Sequence, residues 1–187
     1  MLELAGEGTD TFQGTATDLS AAAYATSIEN LFYTGATAGN LLGNSLANLM
    51  SGGIGNDTVT GNSGNDSLFG GSGVDSLVGG DGDDFLYGGG LGGLVTSAPL
   101  VADAVAEKLV GGAGNDRYQI DDTLDTVSEL SGGGTLDVVI SKIDNVLTRY
   151  ANVEALVLQR GTTAWFGQGG SGSDLLVGNE SDNYLVG

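Results

Sequence analysis

GGSGVDSLVGGDGDDFLY, residues 70–87, is one nine-residue phrase written twice: two glycines open each copy, an aspartate stands sixth and a leucine eighth. Read in that frame from residue 34, the chain gives TGATAGNLL, GNSLANLMS, GGIGNDTVT, GNSGNDSLF, GGSGVDSLV and GGDGDDFLY. The eighth place is always apolar: Leu41, Met50, Val59, Leu68, Leu77 and Leu86. The sixth runs Gly39, Asn48, Asp57, Asp66, Asp75 and Asp84. The frame returns as KLV (Lys108–Val110) and GGAGNDRYQ (Gly111–Gln119), then as GGSGSDLLV (Gly169–Val177) and GNESDNYLV (Gly178–Val186).

One apolar residue in nine matches neither a 3.6-residue helical period nor a full amphipathic strand. It suits a three-residue strand whose central side chain points inward. The other six residues must turn the chain, and glycine supplies the positive-φ conformations for that. Two blocks then make one turn of a flattened solenoid with the eighth-position residues stacked as a narrow core. Asp57 would lie over Asp75, and Asp66 over Asp84, one strand spacing or about 4.8 Å apart. Two carboxylates at that separation repel by roughly 3–4 kcal/mol at an effective dielectric of about 20. A hard divalent cation between successive turns reverses the sign. Carboxylate and carbonyl oxygens in a flexible shell suit Ca²⁺ better than Mg²⁺, which demands a tighter octahedron.

The composition agrees with that reading. Of 187 residues, 35 are glycine and one is proline, without the G-X-Y period of collagen. Acids outnumber bases 24 to 5, a formal charge of −19, and no basic side chain precedes Lys108. Such a chain repels nucleic acid and anionic lipid and attracts cations. The chain has no Cys and no His, which excludes disulfides, Cys/His zinc sites and the usual nucleophile–base pairs. No apolar run reaches the ~18 residues of a membrane span, and no Sec-type leader is visible.

GGIGND, GNSGND, GGSGVD, GGDGDD, GGAGND and GGSGSD resemble the RTX, or haemolysin-type, nonapeptide repeats. The resemblance implies an all-β fold, a right-handed parallel β-roll or β-solenoid with several Ca²⁺ ions bridging loops of successive turns. It also implies that the sixth-position aspartate and carbonyls of the glycine turn are the ligands. Carried over residue by residue, that selects Asp57, Asp66, Asp75, Asp84, Asp116 and Asp174. The corresponding glycines are Gly53, Gly55, Gly64, Gly71, Gly73, Gly80, Gly82, Gly112, Gly114, Gly170 and Gly172. Asn48 and Asn183 occupy the aspartate slot in weaker blocks, and Asp121 is a further weak candidate beside Asp122 and Asp125. Asp81 and Asp83 lie outside the slot and read as solvated charge.

Residues 3–34 and 129–160 look like two copies of a longer unit. ELAGEGTDTF parallels ELSGGGTLDVV, and SIENLFYTG parallels NVEALVLQRG. They read as turns of the same solenoid without calcium. The expected division is a flanking solenoid unit over 1–42, the RTX roll over 43–119 with an insertion at 88–107, a second flanking unit over 120–168 and a short RTX run over 169–187. The insertion predicts a loop or short helix around 94–108. Pro99 stands near its first turn, and Val101, Val105 and Leu109 are spaced along one face. Trp165, Phe166 and Tyr184 are expected in core or end-capping roles.

Three functions fit to different degrees. The first is a calcium-binding structural module of a secreted bacterial protein, exported by a type I system and folding on exposure to extracellular calcium. The second is a calcium-dependent self-assembling surface protein, such as an S-layer, filament or adhesin segment. It would associate end to end or with another surface protein. Its motive is that the chain opens within one unit and stops where another glycine pair is due, with no polar cap. The third is an accessory RTX module of a secreted enzyme. The chain itself is expected to be non-catalytic, with no nucleic-acid partner and no membrane insertion.

Overall fold

Consecutive strands of this chain do not pair with each other. In a computed structural model, which describes residues 8–20, 27–90 and 105–187, each strand pairs in parallel with the next but one. One sheet of nine strands stacks β1 (Thr11–Gly14), β3 (Asn30–Tyr33), β5 (Leu49–Ile54), β7 (Ser67–Ser72), β9 (Phe85–Gly89), β11 (Arg117–Ile120), β13 (Val138–Ser141), β15 (Ala155–Leu158) and β17 (Leu175–Val177). The opposite sheet stacks β2 (Asp18–Ser20), β4 (Asn40–Leu42), β6 (Thr58–Ser63), β8 (Ser76–Asp81), β10 (Lys108–Ala113) and β12 (Thr126–Ser128). A third, of β14 (Asn145–Val146), β16 (Phe166–Gln168) and β18 (Tyr184–Val186), closes the later turns. The chain is a parallel β-solenoid, two strands to a turn. Among the described residues the one helical element is a 3-10 turn, Leu147–Arg149. No helix of these residues is long and apolar enough to cross a membrane.

The nine-residue period sets the register. Ser67 pairs with Phe85 and Thr58 with Ser76, so two blocks complete one turn. Every eighth-position residue thereby meets its own kind. Leu31, Met50, Leu68, Leu86, Tyr118, Val139 and Leu156 form one interior ladder, and Leu19, Leu41, Val59, Leu77 and Leu109 face them. All of these are at most 1% exposed. Burying each such side chain contributes about 1.5–3 kcal/mol.

Most strands of the repeats are six residues long rather than the expected three. They run on through the opening glycines, where Gly53 pairs with Gly71 and Gly80 with Gly112. With no Cβ, glycine lets neighbouring turns approach closely enough to extend the ladder. Gly71 shows both reasons for the residue: its φ is +121°, and a Cβ there would strike the Gly53 carbonyl. Asn62 fills the same place in the variant block, at φ 84°, and its Nδ2 donates to the Gly43 carbonyl at 2.8 Å.

The insertion lies within a single turn. Ser76 still pairs with Lys108 and Phe85 with Arg117, although each partner is much further along the chain than in the repeats before it. The excursion therefore lengthens one turn without shifting the register on either side. Residues 91–104, with Pro99 and Val101, lie outside the described residues. Val105–Glu107 are irregular, and Lys108 already begins β10. Leu109, read as part of a helical face, stands instead in β10 as a fully buried rung of the interior ladder. The strand frame governs it, because pairing on both sides fixes its register.

The flanking units join the same nine-stranded sheet with turns of other lengths, as where Thr11 meets Asn30 and Arg117 meets Val138. Trp165 and Tyr184, expected in the core or at a cap, are more than half exposed. Their neighbour Phe166 stacks on Tyr184 with ring centroids 5.9 Å apart. Leu77 and Val78 are adjacent but face opposite ways, inward and outward. Leu77→Ala should cost about 2–5 kcal/mol in urea unfolding, and Val78→Ala well under half of that. Equal losses would contradict the single-file core.

Candidate metal centres

The residue immediately before each strand sits at a corner of the coil, and in the repeats this is the sixth-position aspartate. From Asp57 to Asp116 its first carboxylate oxygen has the same partner, the backbone N–H of the corner residue one turn earlier. Asp57 accepts from Gly39 at 2.6 Å and Asp75 from Asp57 at 2.7 Å. On the other edge Asp66 accepts from Asn48 at 2.7 Å, Asp84 from Asp66 at 2.8 Å and Asp116 from Asp84 at 2.8 Å. The corner N–H at the end of a turn would otherwise be buried without an acceptor. The expected pairs, Asp57 with Asp75 and Asp66 with Asp84, are thus brought together.

The second oxygen has a different environment. Oδ2 of Asp57, Asp66, Asp84 and Asp116 is buried and makes no hydrogen bond. Each points at the first-position glycine five residues back. A Cβ built on Gly52 would meet both Asp57 Oδ2 and the Gly70 carbonyl. The same pairing recurs at Gly61 with Asp66 and the Gly79 carbonyl, at Gly70 with Asp75 and the Gly88 carbonyl, and at Gly79 with Asp84 and the Gly111 carbonyl. Carboxylate and carbonyl oxygens from two successive turns therefore converge on the space that the missing side chain leaves. A buried, unsatisfied carboxylate oxygen is costly. An all-oxygen cradle of this kind fits a hard cation of the calcium class.

Burial pushes the carboxyls of Asp57, Asp66 and Asp137 up to about 6, and those of Asp84 and Asp116 up to about 7. The accepted backbone N–H partly opposes this in every case. Neighbouring carboxylates, among them Asp66 beside Asp84 and Glu129 beside Asp116, push further upward.

The glycines singled out in the second and fourth places, from Gly53 and Gly55 to Gly112 and Gly114, adopt positive φ. Gly170 and Gly172 do not, and Asp174 differs accordingly. It is only partly buried, and its Oδ2 accepts the Gly170 N–H at 2.6 Å. Asn48 has both amide atoms engaged, Oδ1 by the Asn44 N–H and Nδ2 by the Ile28 carbonyl. Asn183 donates from Nδ2 to Asn179 Oδ1. Asp121 Oδ2 is held by Lys142 at 3.1 Å and by the Tyr87 hydroxyl at 2.8 Å. Asp83 lies on an outer ladder at the fifth position, where Asn65 accepts its N–H and it accepts that of Asn115.

Two further acidic groups assemble beside the repeats. Glu107, Asp121 and Asp125 form one, and Asp116, Glu129 and Asp137 the other. In each, one carboxylate oxygen per residue lies within 4.8 Å of the others. Sequence reasoning does not select Glu107, Glu129 or Asp137. Glu107 has a visible signal: the frame that resumes at KLV puts it sixth, and it accordingly donates its N–H to Asp125 Oδ1 at 3.3 Å. Asp137 has none, because the greater length of its turn displaces it from the frame.

Residues 42–77, 69–90, 103–118 and 167–187 match the family model of the RTX calcium-binding nonapeptide repeat in four copies. No curated protein and no solved structure matches the chain.

The raised carboxyls fix the sign of a pH effect. The folded chain holds protons that unfolded aspartates, at 3.8, release. Without a cation the stabilisation from these groups is complete below about 4 and is lost as pH rises through 6 to 7. In chelator, far-UV circular dichroism should show β structure increasing as pH falls from about 8 to about 5. A signal that falls or stays flat would contradict the buried, cation-free carboxylates.

Proposed function

Because this chain carries RTX calcium-binding nonapeptide repeats folded as a parallel β-roll, we propose that it is a structural module of a secreted bacterial protein that folds when it meets extracellular calcium. The observation that carries the reading is the repeated convergence of a buried aspartate Oδ2 with a glycine carbonyl of the next turn. In this reading Asp57, Asp66, Asp75, Asp84 and Asp116 are the ligand carboxylates, and the glycine turns contribute carbonyls. Calcium held there supplies the positive charge that stacked carboxylates lack.

The residues do the rest. The Oδ1 caps hold each carboxylate in one rotamer, so Oδ2 stays aimed at the cradle. The second- and fourth-position glycines keep the turns thin enough for oxygens of two turns to meet. Asp174 and the distal run make a weaker site, since its Oδ2 is already engaged.

A chain of net charge −19 with its acids stacked resists folding until that charge is offset. Binding to the folded state alone stabilises it by RT ln(1 + [Ca²⁺]/Kd) for each independent site. Extracellular calcium modules work at about 10⁻⁴–10⁻³ M, so such sites stand largely empty in a cytosol and fill outside. Each site joins two turns, and ordering one pair prepares the next, which makes the response cooperative. No catalytic role is assigned: the roll is a scaffold for ions, and its paired acids serve that purpose.

A calcium titration from chelator, followed by far-UV circular dichroism with magnesium as control, tests the proposal. A steep coil-to-β transition near millimolar calcium and none with magnesium is expected. A chain fully folded in chelator and indifferent to calcium would overturn it. Within the same assay, Asp75→Ala should raise the calcium midpoint more than Asp174→Ala, and equal shifts would remove the distinction between the two runs.

A further inference from the structure

The turn that follows the repeats departs from them in one chemical respect. The first-position ladder runs Gly61, Gly79, Gly111, and the next place belongs to Glu129, since Val110 pairs with Ser128 directly before it. In the repeats, the cradle of a first-position glycine contains one aspartate Oδ2 and the carbonyl of the next glycine. At Gly111 it contains Asp116 Oδ2, the Tyr118 hydroxyl and Glu129 Oε2. A carboxylate oxygen has taken the place of a carbonyl.

A third acid arrives from the corner ladder. Asp137 Oδ1 accepts the Asp116 N–H at 2.8 Å, and the Asp137 N–H is in turn capped by Glu154. Asp116, Glu129 and Asp137 are 0%, 8% and 2% exposed, and one ligand oxygen from each lies within 4.8 Å of the others. Among the described residues none of the three forms an ion pair with lysine or arginine. Glu129 Oε1 accepts the N–H of Leu130 at 3.0 Å and of Gly112 at 3.3 Å, and Oε2 accepts the Tyr118 hydroxyl. Asp116 Oδ2, aimed into the group, is fully buried and has no hydrogen bond. That orphaned oxygen is an observation separate from the clustering, and it points to a cationic partner.

We propose that Asp116, Glu129 and Asp137, with the Tyr118 phenol beside them, form a three-carboxylate cation site that terminates the calcium-binding run. It is chemically distinct from the aspartate–carbonyl sites between the repeats. The proposal rests on the calcium-binding reading of the roll and assigns it one further, differently built centre. Three carboxylates give this site a formal charge that no repeat cradle has, and affinity in oxygen-lined calcium sites rises with ligand charge. The site therefore fills before the repeat sites do. Hard trivalent lanthanides, of similar ionic character to calcium, should occupy it first of all.

Tyr118 supplies the readout. Terbium bound against a tyrosine ring emits when the ring is excited, so the earliest terbium added to the full chain should give tyrosine-sensitised emission. Tyr118→Phe keeps the core ring and should lose most of that early emission. Glu129→Gln with Asp137→Asn should remove the earliest phase of terbium emission. In calorimetry it should lower the calcium count by one, or weaken that step on the order of tenfold or more, with the later steps intact. A double variant that takes up calcium and terbium as the wild type does would overturn the site and leave the repeat reading standing. Wild-type chain that takes up no calcium would overturn both. Should the double variant fail to fold, unchanged early emission from the Tyr118→Phe chain, measured on folded protein, would still refute the placement.

Discussion

A coil of two nine-residue blocks in parallel register sets each residue directly over its counterpart one turn away. Like therefore meets like, and the consequence depends on the residue. For the eighth-position leucines the meeting is favourable and builds the core. For the glycines it is a matter of clearance, because backbone of one turn occupies the space where a side chain of the next would go. For the aspartates it is unfavourable by itself, since it gathers buried negative charge at strand spacing. The rest of the structure follows from handling that third case: from Asp57 to Asp116, one oxygen of each sixth-position aspartate is given to the backbone, and the other is left where oxygens of the next turn converge.

The eighth- and sixth-position ladders are legible in the sequence because the period never varies between residues 34 and 87. A constant period turns sequence spacing into spatial adjacency, so Asp57 over Asp75 follows from counting. Legibility fails wherever the turn length changes. Glu107 hides behind the insertion although the resumed frame names its place, and Asp137 sits in a longer turn that no count of nine reaches. Glu129 reads as the start of a second long unit. Its equivalence to the first-position glycines appears only when β10 and β12 are paired. The six-residue strands also escape a reading of the sequence, since glycine is normally a poor strand former. Here it extends the ladder because nothing bulkier would let the turns close.

The helical spacing of Val101, Val105 and Leu109 shows the opposite error. Three residues at suitable intervals make a face, but Leu109 belongs to a frame that has already resumed one residue earlier. Where two periodicities compete for one residue, the one matched by neighbours on both sides prevails: Leu109 is fixed between Leu77 and Val127. The lengthened turn before it shows how tolerant such a coil is. Each turn contacts chiefly the turns beside it, so an excursion costs loop-closure entropy, which grows slowly with length, and leaves the stack in register.

The corner caps all point one way. The N–H of Asn48 waits on Asp66, that of Asp66 on Asp84, that of Asp84 on Asp116 and that of Asp116 on Asp137. Every one of these corner N–H groups is completed by the successor turn, whereas the N–H groups one place before them run the other way: those of Val74, Asp83 and Asn115 are completed by Asn56, Asn65 and Asp83 of the turn before. Neighbouring turns are thus fastened by side chains in both chain directions. A turn laid against one neighbour alone finds one of these two caps ready and lacks the other. The two ladders therefore reward a turn most when it is enclosed on both sides.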